Sequence, residues 1–258
     1  MAHTWDPQHY LTYADERGRP FVELVARVGA AAPTSVVDLG CGPGNLTALL
    51  ASRWPAARVS GLDSSAEMIA SARAGVPGVD FEVADLREWR PATPVDVLVS
   101  NATLQWVPDH VALLPELVGA LAPGGWLAFQ VPGNFEEPSH TIRRELAARA
   151  PYAAHTAGID SPASHDPSTY HDALVAAGAR DVDVWETTYT HVLSGPDPVF
   201  TWVSATGARP TLQALPDGLR EQFTVEFTAG LAAAYPVRDD GTVLLPFRRV
   251  FAVARSAS

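Results

Sequence analysis

The chain has 258 residues, of which 47% are hydrophobic and 18% charged, and its formal net charge is −11 at pH 7. This length and balance suit one globular domain with a substantial core. The negative charge argues against nucleic acid as a partner, because phosphate binding requires a basic surface. All 18 cations are arginines, and the only cysteine, Cys41, excludes an intrachain disulfide and favours a reducing compartment.

The first residues carry no basic segment followed by an apolar run, and no stretch reaches the roughly 18 apolar residues of a membrane span. We therefore expect a cytoplasmic protein with no membrane partner. Residues 1–32 are predicted to form a helical lid. Its main helix covers 19–28, where apolar residues recur at helical spacing, and a shorter helix opens at Asp6 and Pro7.

Strands and helices alternate over residues 33–131, which predicts an α/β core with a mostly parallel sheet covered on both faces. The predicted strands are 35–39, 58–62, 80–83, 95–100 and 126–131, and the predicted helices are 44–54, 65–74 and 109–121. Residues 132–240 are expected to add a helical cap with helices at 139–150, 167–177, 197–205 and 216–234 and one core strand at 181–189. The final segment, 241–258, carries a strand at 242–254, and the whole chain is taken as a single domain.

The stretch Val36–Asn45 reads as a buried strand, a glycine turn and the start of a helix. Gly40, Gly42 and Gly44 allow a tight turn and a close approach of a ligand to the backbone. A dinucleotide fingerprint has the spacing G-x-G-x-x-G, but here Asn45 stands where its third glycine belongs. The turn therefore indicates a nucleoside ligand other than a dinucleotide.

Acidic residues follow the predicted strands and narrow the ligand further. Asp38, two residues before the first glycine, would repel a pyrophosphate but suits an ammonium group. Asp63 closes the second strand, where an acid commonly binds ribose hydroxyls. Asp85 follows the third strand, and Asn101 follows the fourth. This order favours S-adenosylmethionine, which carries a sulfonium, an ammonium and no phosphate.

The run Asp38-Leu39-Gly40-Cys41-Gly42-Pro43-Gly44 resembles the first motif of the class I S-adenosylmethionine-dependent methyltransferases. The resemblance implies a Rossmann-like sheet whose last strand is antiparallel. It also implies that Asp38 and the glycines hold the methionine part, Asp63 the ribose and Asp85 the adenine. The expected cofactor-binding residues are Asp38, Gly40, Cys41, Gly42, Asn45, Asp63, Ser64, Met68, Asp85, Leu86, Asn101, Leu104 and Trp106.

Motifs outside that core are similar to those of the trans-aconitate 2-methyltransferases. They are Trp5-Asp6-Pro7…Tyr10, Arg17-Gly18-Arg19-Pro20, Asn101–His110, Trp185–His191, Ala205–Pro210 and Tyr235-Pro236. This resemblance covers nearly the whole chain and is weakest over 150–167. It implies esterification of a carboxylate of trans-aconitate, giving a monomethyl ester and S-adenosylhomocysteine.

Methyl transfer to a carboxylate needs alignment more than acid–base chemistry, because the acid is already ionised at pH 7. We therefore name no catalytic residue and expect arginines to bind the acceptor, since a guanidinium holds two carboxylate oxygens at once. One of the adjacent pair Arg143 and Arg144 is expected to face solvent. The substrate-binding candidates are Tyr10, Arg19, Trp106, Arg144, His171, Tyr189, Arg209 and Arg249.

Several alternatives stay open. The alternative acceptors are another small acid and a natural-product hydroxyl. A hydroxyl acceptor would need a base such as His110, His171 or His191, although His110 is expected to cap a helix or face solvent. A nicotinamide-dependent oxidoreductase and a non-catalytic nucleoside-binding protein are the other classes. Trp106 suits core packing as well as a wall of the site. We expect no metal, because the histidines lack regular spacing and cysteine partners, and we expect a monomer or weak homodimer.

Overall fold

The computed structural model describes residues 18–159 and 162–257. These residues form two compact units. Unit 1 comprises 18–131, 165–186 and 249–257, and unit 2 comprises 132–159, 162–164 and 187–248. The predicted helix at Asp6 and the candidate Tyr10 lie outside the described residues.

Seven strands form one sheet in the order β3-β2-β1-β4-β5-β7-β6. Their bounds are β1 Ser35–Leu39, β2 Arg58–Asp63, β3 Asp80–Val83, β4 Val95–Asn101, β5 Leu121–Pro132, β6 Arg180–Leu193 and β7 Val243–Arg255. The first five strands pair in parallel, and the last strand, β7, is antiparallel. This confirms the predicted fold class.

Ten α-helices lie within the described residues. They are α1 Gly18–Ala26, α2 Thr47–Arg53, α3 Ala66–Gly75, α4 Leu114–Gly119, α5 Pro138–Ala147, α6 Ala153–Thr156, α7 Pro167–Ala176, α8 Pro198–Ser204, α9 Arg209–Ala214 and α10 Asp217–Ala234. Two short 3₁₀ helices cover Leu104–Trp106 and His110–Leu113. In the part of the chain that is described, no helix combines the length and apolar content needed to cross a bilayer.

The core of unit 1 lies on both faces of the sheet, as the apolar runs in the central strands require. Val36, Leu39 and Leu98 are fully buried in β1 and β4. Helix α7 contributes Tyr170 and Leu174, which are also fully buried, to the same core.

The core of unit 2 is built on one face of α10. Phe223, Phe227 and Leu231 recur every four residues and are buried, which is the spacing of an amphipathic helix. Tyr152 packs edge-to-face on Phe223, with ring centroids 5.1 Å apart. This arrangement anchors the segment that follows α5.

The largest difference from the predicted elements lies between β4 and β5. Strand β5 begins at Leu121 instead of 126, because Leu121 pairs with Val95 before a bulge shifts the register. The helix predicted over 109–121 is shorter and begins as 3₁₀, since Asp109 adopts a left-handed conformation with φ of 52°. Helices α6 and α9 were not predicted, because each has only one to two turns.

Candidate functional site

The carboxyl ends of β1, β2 and β4 meet at one edge of the sheet in unit 1. The parallel register places Asp38 beside Gly61 of β2 and Val99 of β4. Asp63 and Asn101 are the last residues of their strands. The sheet therefore brings together three polar side chains that the sequence placed at strand ends.

The glycine loop, residues 40–44, turns back over this edge. The backbone N–H groups of Gly40 and Cys41 donate to the carbonyl of Leu62 at 2.8 and 2.9 Å. Gly42 has φ of +54°, and a Cβ placed on it would meet no atom of the described chain within 4 Å. The loop is thus pinned to β2 and leaves open space above Gly42, which is what close approach of a ligand requires.

Asp63 bonds both to the glycine loop and to the start of α3. Its Oδ2 accepts from the backbone N–H of Gly42 at 3.0 Å, and its Oδ1 accepts from that of Ser65 at 2.9 Å. A carboxylate oxygen has two lone pairs, so each oxygen keeps one acceptor position for a ligand hydroxyl. Ser65 in turn caps α3 by accepting from Met68 N–H.

Asp38 is 2% exposed and accepts from the Thr47 hydroxyl at 2.7 Å. Burial raises the pKa of Asp38 to about 6, with a further contribution from the negative charge of Asp63. A buried carboxylate of this kind favours a cation beside it. The pattern of the sequence identified Asp38 but not Thr47, whose position in the first turn of α2 gave no distinct signal.

Cys41 is buried in the same loop. Burial, and then the charges of Asp38 and Asp63, raise the pKa of its thiol to about 12. The thiol is therefore protonated at neutral pH, and Cys41 acts as a small packed residue.

Asp85 and Leu86 follow β3. The guanidinium of Arg87 donates hydrogen bonds to the carboxylate of Asp85 from Nε at 3.0 Å and from Nη2 at 2.5 Å. Hydrogen bonds from Arg87 lower the pKa of Asp85. Leu86 is buried. Both carboxylate oxygens of Asp85 are thus already engaged, a feature the sequence did not predict.

A chain of amide and guanidinium groups joins β4, β5 and β7. Gln130 Nε2 donates to Asn101 Oδ1 at 2.7 Å, and Gln130 Oε1 accepts from Arg249 Nη1 at 3.0 Å. Gln130 is fully buried and Arg249 is 6% exposed. Gln130 was missed because a lone glutamine in an apolar strand carries no motif, although a buried amide generally has a partner.

His110 holds the segment after β4 through contacts of both of its ring nitrogens. His110 Nδ1 lies 3.3 Å from the carbonyl of Val107, and its Nε2 lies 2.8 Å from the hydroxyl of Tyr170. His110 is 1% exposed, so the expectation that it caps a helix or faces solvent is wrong. Because a carbonyl only accepts, Nδ1 carries the proton and Nε2 accepts from Tyr170.

The remaining cofactor candidates differ in exposure. Asn45, Ser64 and Met68 are exposed, whereas Leu104 is fully buried. Trp106 is 44% exposed on its 3₁₀ helix. This exposure favours a surface or a wall over core packing for that ring.

The substrate candidates divide between the two units. In unit 1, Arg19 pairs with Glu23, His171 pairs with Asp172, and both basic side chains are exposed. Trp106 and Arg249 also belong to unit 1. Unit 2 holds Arg144, Tyr189 and Arg209, of which Tyr189 is buried and Arg209 exposed.

The adjacent arginines of α5 face different surroundings, as their helical positions require. Arg144 has a side chain that is 47% exposed and pairs with Glu136 at 3.2 Å. Arg143 is 7% exposed and donates to the Thr211 hydroxyl. The more buried member of the pair is thus Arg143, whereas Arg144 was the member selected as a substrate-binding candidate.

A sheet of this order, with a glycine loop after β1 and an acid closing β2, is the arrangement of the class I methyltransferase fold. The family described as a methyltransferase domain matches residues 36–125. The fold is shared by phosphoethanolamine N-methyltransferase 2 of Haemonchus contortus, solved with phosphomonomethylethanolamine and S-adenosylhomocysteine. That match has a TM-score of 0.57 and 16% identity, and it covers 93% of this chain and 52% of the other.

Likeness to curated relatives runs along almost the full chain. The trans-aconitate 2-methyltransferase of Streptomyces avermitilis is 52% identical over 97% of this chain and 96% of its own length. That of Azoarcus sp. strain BH72 is 49% identical over 97% of this chain and 98% of its own. The chain belongs to the trans-aconitate 2-methyltransferase family, which confirms the resemblance of its motifs.

Proposed function

We propose that this protein transfers a methyl group from S-adenosylmethionine to a carboxylate of trans-aconitate, giving the monomethyl ester and S-adenosylhomocysteine. The observation that carries the proposal is the identity of about half of all residues over 97% of the chain. That span reaches far beyond residues 36–125, which the general methyltransferase family matches. The acceptor-binding part of the chain is therefore included in the likeness.

The donor site fits the chemistry of S-adenosylmethionine. We propose that the two remaining acceptor positions of Asp63 take the ribose hydroxyls and that buried Asp38 takes the ammonium group. The open space above Gly42 admits the chain that joins them. We place the adenine against Leu86. Asp85 would accept a hydrogen bond from the adenine amino group after Arg87 releases one of its own bonds to that carboxylate.

We place the other predicted contributors around this centre. Asn45, Ser64 and Met68 supply an exposed rim, and Gly40 and Cys41 supply backbone groups. Asn101, Leu104 and Trp106 line the segment after β4. Arg249, held by Gln130, orients Asn101 through the amide between them.

Catalysis is proposed to rest on alignment. S-adenosylmethionine supplies a methyl group already activated by its sulfonium. The protein holds the acceptor oxygen in line, and such positioning can contribute about 7–11 kcal/mol. An ionised carboxylate requires no general base, and the candidate base His110 is already bonded to the carbonyl of Val107 and the hydroxyl of Tyr170.

The acceptor is proposed to be bound by arginine guanidinium groups, because trans-aconitate carries three carboxylates and arginine binds carboxylates bidentately. We further propose that the chain works as a single methyltransferase domain, as a monomer or weak homodimer in the cytoplasm. Its net charge of −11 supports a small-molecule partner over a nucleic acid.

The test is an assay with labelled S-adenosylmethionine against trans-aconitate, cis-aconitate, citrate and a set of phenols and alcohols. We expect ester formation with trans-aconitate and a rate that stays flat between pH 6.5 and about 8, because the acceptor remains ionised. Turnover of a hydroxyl acceptor alone, with a rate that titrates as a histidine, would establish the alternative. Tight donor binding without turnover of any acid would point to a regulatory protein.

A further inference from the structure

A cleft of about 300 Å³ in unit 2 is lined by Arg143, Arg144, Thr156, Thr211 and otherwise by alanines and one isoleucine. We call it the Arg143 pocket. Helices α5, α6 and α9 supply those four polar side chains. The described lining therefore contains two cations and no carboxylate, in a chain whose net charge is negative.

Arg143 is the unusual member of this lining. Its side chain is 93% buried, since only 7% is exposed, and its Nη1 donates to Thr211 Oγ1 at 2.7 Å. Its Nε is inaccessible to solvent and has no hydrogen-bond partner among the described residues. A cation buried without a counter-ion is costly, and no described residue supplies a carboxylate to Arg143, so a bound anion would complete the site.

The geometry of the unbonded edge suits a carboxylate. With Nη1 held by Thr211, no described residue bonds to the Nε and Nη2 edge of Arg143. Two other arginines of this chain use that same edge on a carboxylate. Arg58 donates to Oδ2 of Asp80 from Nε at 3.2 Å and from Nη2 at 3.0 Å, and Arg87 donates from Nε and Nη2 to the two oxygens of Asp85.

We propose that the Arg143 pocket binds the carboxylate of a small organic acid on the Nε and Nη2 edge of Arg143. The aliphatic walls fit a short carbon chain, and Arg144 adds positive charge at the more exposed side. The acid is either the methyl acceptor or a separate effector. Only the first of these assignments rests on the proposed function.

A built-in reporter lies beside the pocket. His140 is 8% exposed, and burial, followed by the positive charges of Arg143 and Arg144, lowers its pKa to about 4. An anion on Arg143 cancels part of that positive field, so it raises the pKa of His140 toward the ordinary value. The imidazole resonance of His140 therefore reports occupancy independently of turnover.

The first experiment measures binding in the full-length protein without donor. Trans-aconitate and propane-1,2,3-tricarboxylate are titrated by calorimetry, and the His140 resonance, assigned with His140→Asn, is followed by NMR. We expect both acids to bind and to raise the pKa of His140. Arg143→Gln is expected to weaken binding at least tenfold, whereas Arg149→Gln, which removes an exposed charge on the same segment, changes it less than threefold.

Thr211→Val serves as a second variant, because it keeps the Arg143 charge and removes only the bond to Nη1. We expect it to weaken binding by a smaller factor than Arg143→Gln does. Equal affinities in wild type and both variants would overturn the proposal. So would a His140 resonance that neither added acid shifts.

Steady-state kinetics separates the two sources of the carboxylate. If the acceptor is the ligand, Arg143→Gln raises the KM for trans-aconitate at least tenfold and leaves donor affinity unchanged. If an effector is the ligand, the same variant loses acid binding but keeps the KM. Absence of ester with every acid would defeat the proposed function alone, since the binding measurement stands without turnover.

Discussion

Asp63 serves two partners at once in unit 1. Its two oxygens hold the backbone of the glycine loop and the start of α3, and we propose that the same oxygens bind the ribose. The side chain that recognises the donor therefore also shapes the loop beneath it. Loss of the carboxylate removes both effects together.

We expect Asp63→Ala to weaken donor binding at least a hundredfold. Each charge-assisted hydrogen bond contributes about 1.5–3 kcal/mol, and at least two are lost. Calorimetric titration with S-adenosylhomocysteine measures the change. The matched control is Asp80→Ala, which removes an exposed acid paired with Arg58 in the neighbouring strand. A donor affinity within threefold of wild type in the Asp63 variant would refute the ribose assignment.

Asp38 is expected to give the proposed donor site a pH dependence. Its folded pKa, about 6, lies above the unfolded value of 3.8. The free protein is therefore stabilised below pH 4 by the neutral acid, and this contribution is lost as pH rises from about 4 through 6. A bound ammonium favours the ionised form, so we expect donor affinity to fall as pH drops below 6.

Asp38→Asn tests that sign. We expect the variant to unfold at a higher temperature than wild type at pH 7, because it buries no charge, and to bind donor weakly with no pH dependence between 5 and 7. Calorimetry and thermal denaturation at several pH values measure both effects. Retention of the wild-type pH profile in this variant would assign the titration to another group.

At the scale of elements, the contact of His110 with Tyr170 joins the second 3₁₀ helix to α7. Tyr170 is fully buried, and its hydroxyl also accepts from the backbone N–H of His165 at 3.1 Å. Both groups lose their partner when the hydroxyl is removed. The connection holds the chain that follows Trp106.

We expect Tyr170→Phe to lower the free energy of unfolding by about 1–3 kcal/mol, the usual cost of leaving a buried polar group unpaired. Urea denaturation measures it. Tyr152→Phe is the comparison, because its partner Glu226 is exposed and can bond to water instead. Equal losses in the two variants would show that burial of the partner does not matter here.

Sequence reasoning predicted most strands because apolar runs bounded by glycine and acid mark β1, β2 and β4 clearly. It placed the start of β5 five residues late, because Pro123, Gly124 and Gly125 read as a turn, whereas the chain absorbs them in a bulge. Helices α6 and α9 are too short to show a period. The bounds of an element that depend on strand pairing or on a bulge cannot be predicted from the sequence of that strand alone, because the partner strand sets them.

The residues that we propose for the donor side could be selected from the sequence because they follow strand ends in fixed order. The residues that we propose for the acceptor side were harder to select. Arg143 and Arg144 are identical in type and adjacent, so only the packing of α5 distinguishes them. Partners such as Thr47 and Gln130 likewise emerge only when distant segments come together.

At the scale of the whole molecule, the described residues contain a separate apolar core in each unit. Local stability follows local burial. A cavity in one core is therefore expected to loosen its own unit first. Phe227, fully buried in unit 2 beside Phe200 and Phe223, offers such a site.

We expect Phe227→Ala to cost about 3–5 kcal/mol and to speed amide hydrogen exchange in α8 and α10 more than in β1 and β4. Exchange followed by mass spectrometry measures the difference. Val175→Ala, at a position 51% exposed, is the control and leaves exchange unchanged. Uniform acceleration in both units would mean that the chain unfolds as one cooperative body.

If Asp85 accepts from the adenine amino group as proposed, its bonds to Arg87 affect how strictly the protein discriminates between donor bases. Because that carboxylate is already satisfied, displacing the guanidinium offsets much of what a purine amino group would gain from it. A substituent on the purine amino nitrogen is therefore expected to reduce donor affinity only slightly. Synthetic donors with an altered base are accordingly natural candidates for selective labelling with this scaffold, and Arg87 is the position to vary when such selectivity is to be tuned.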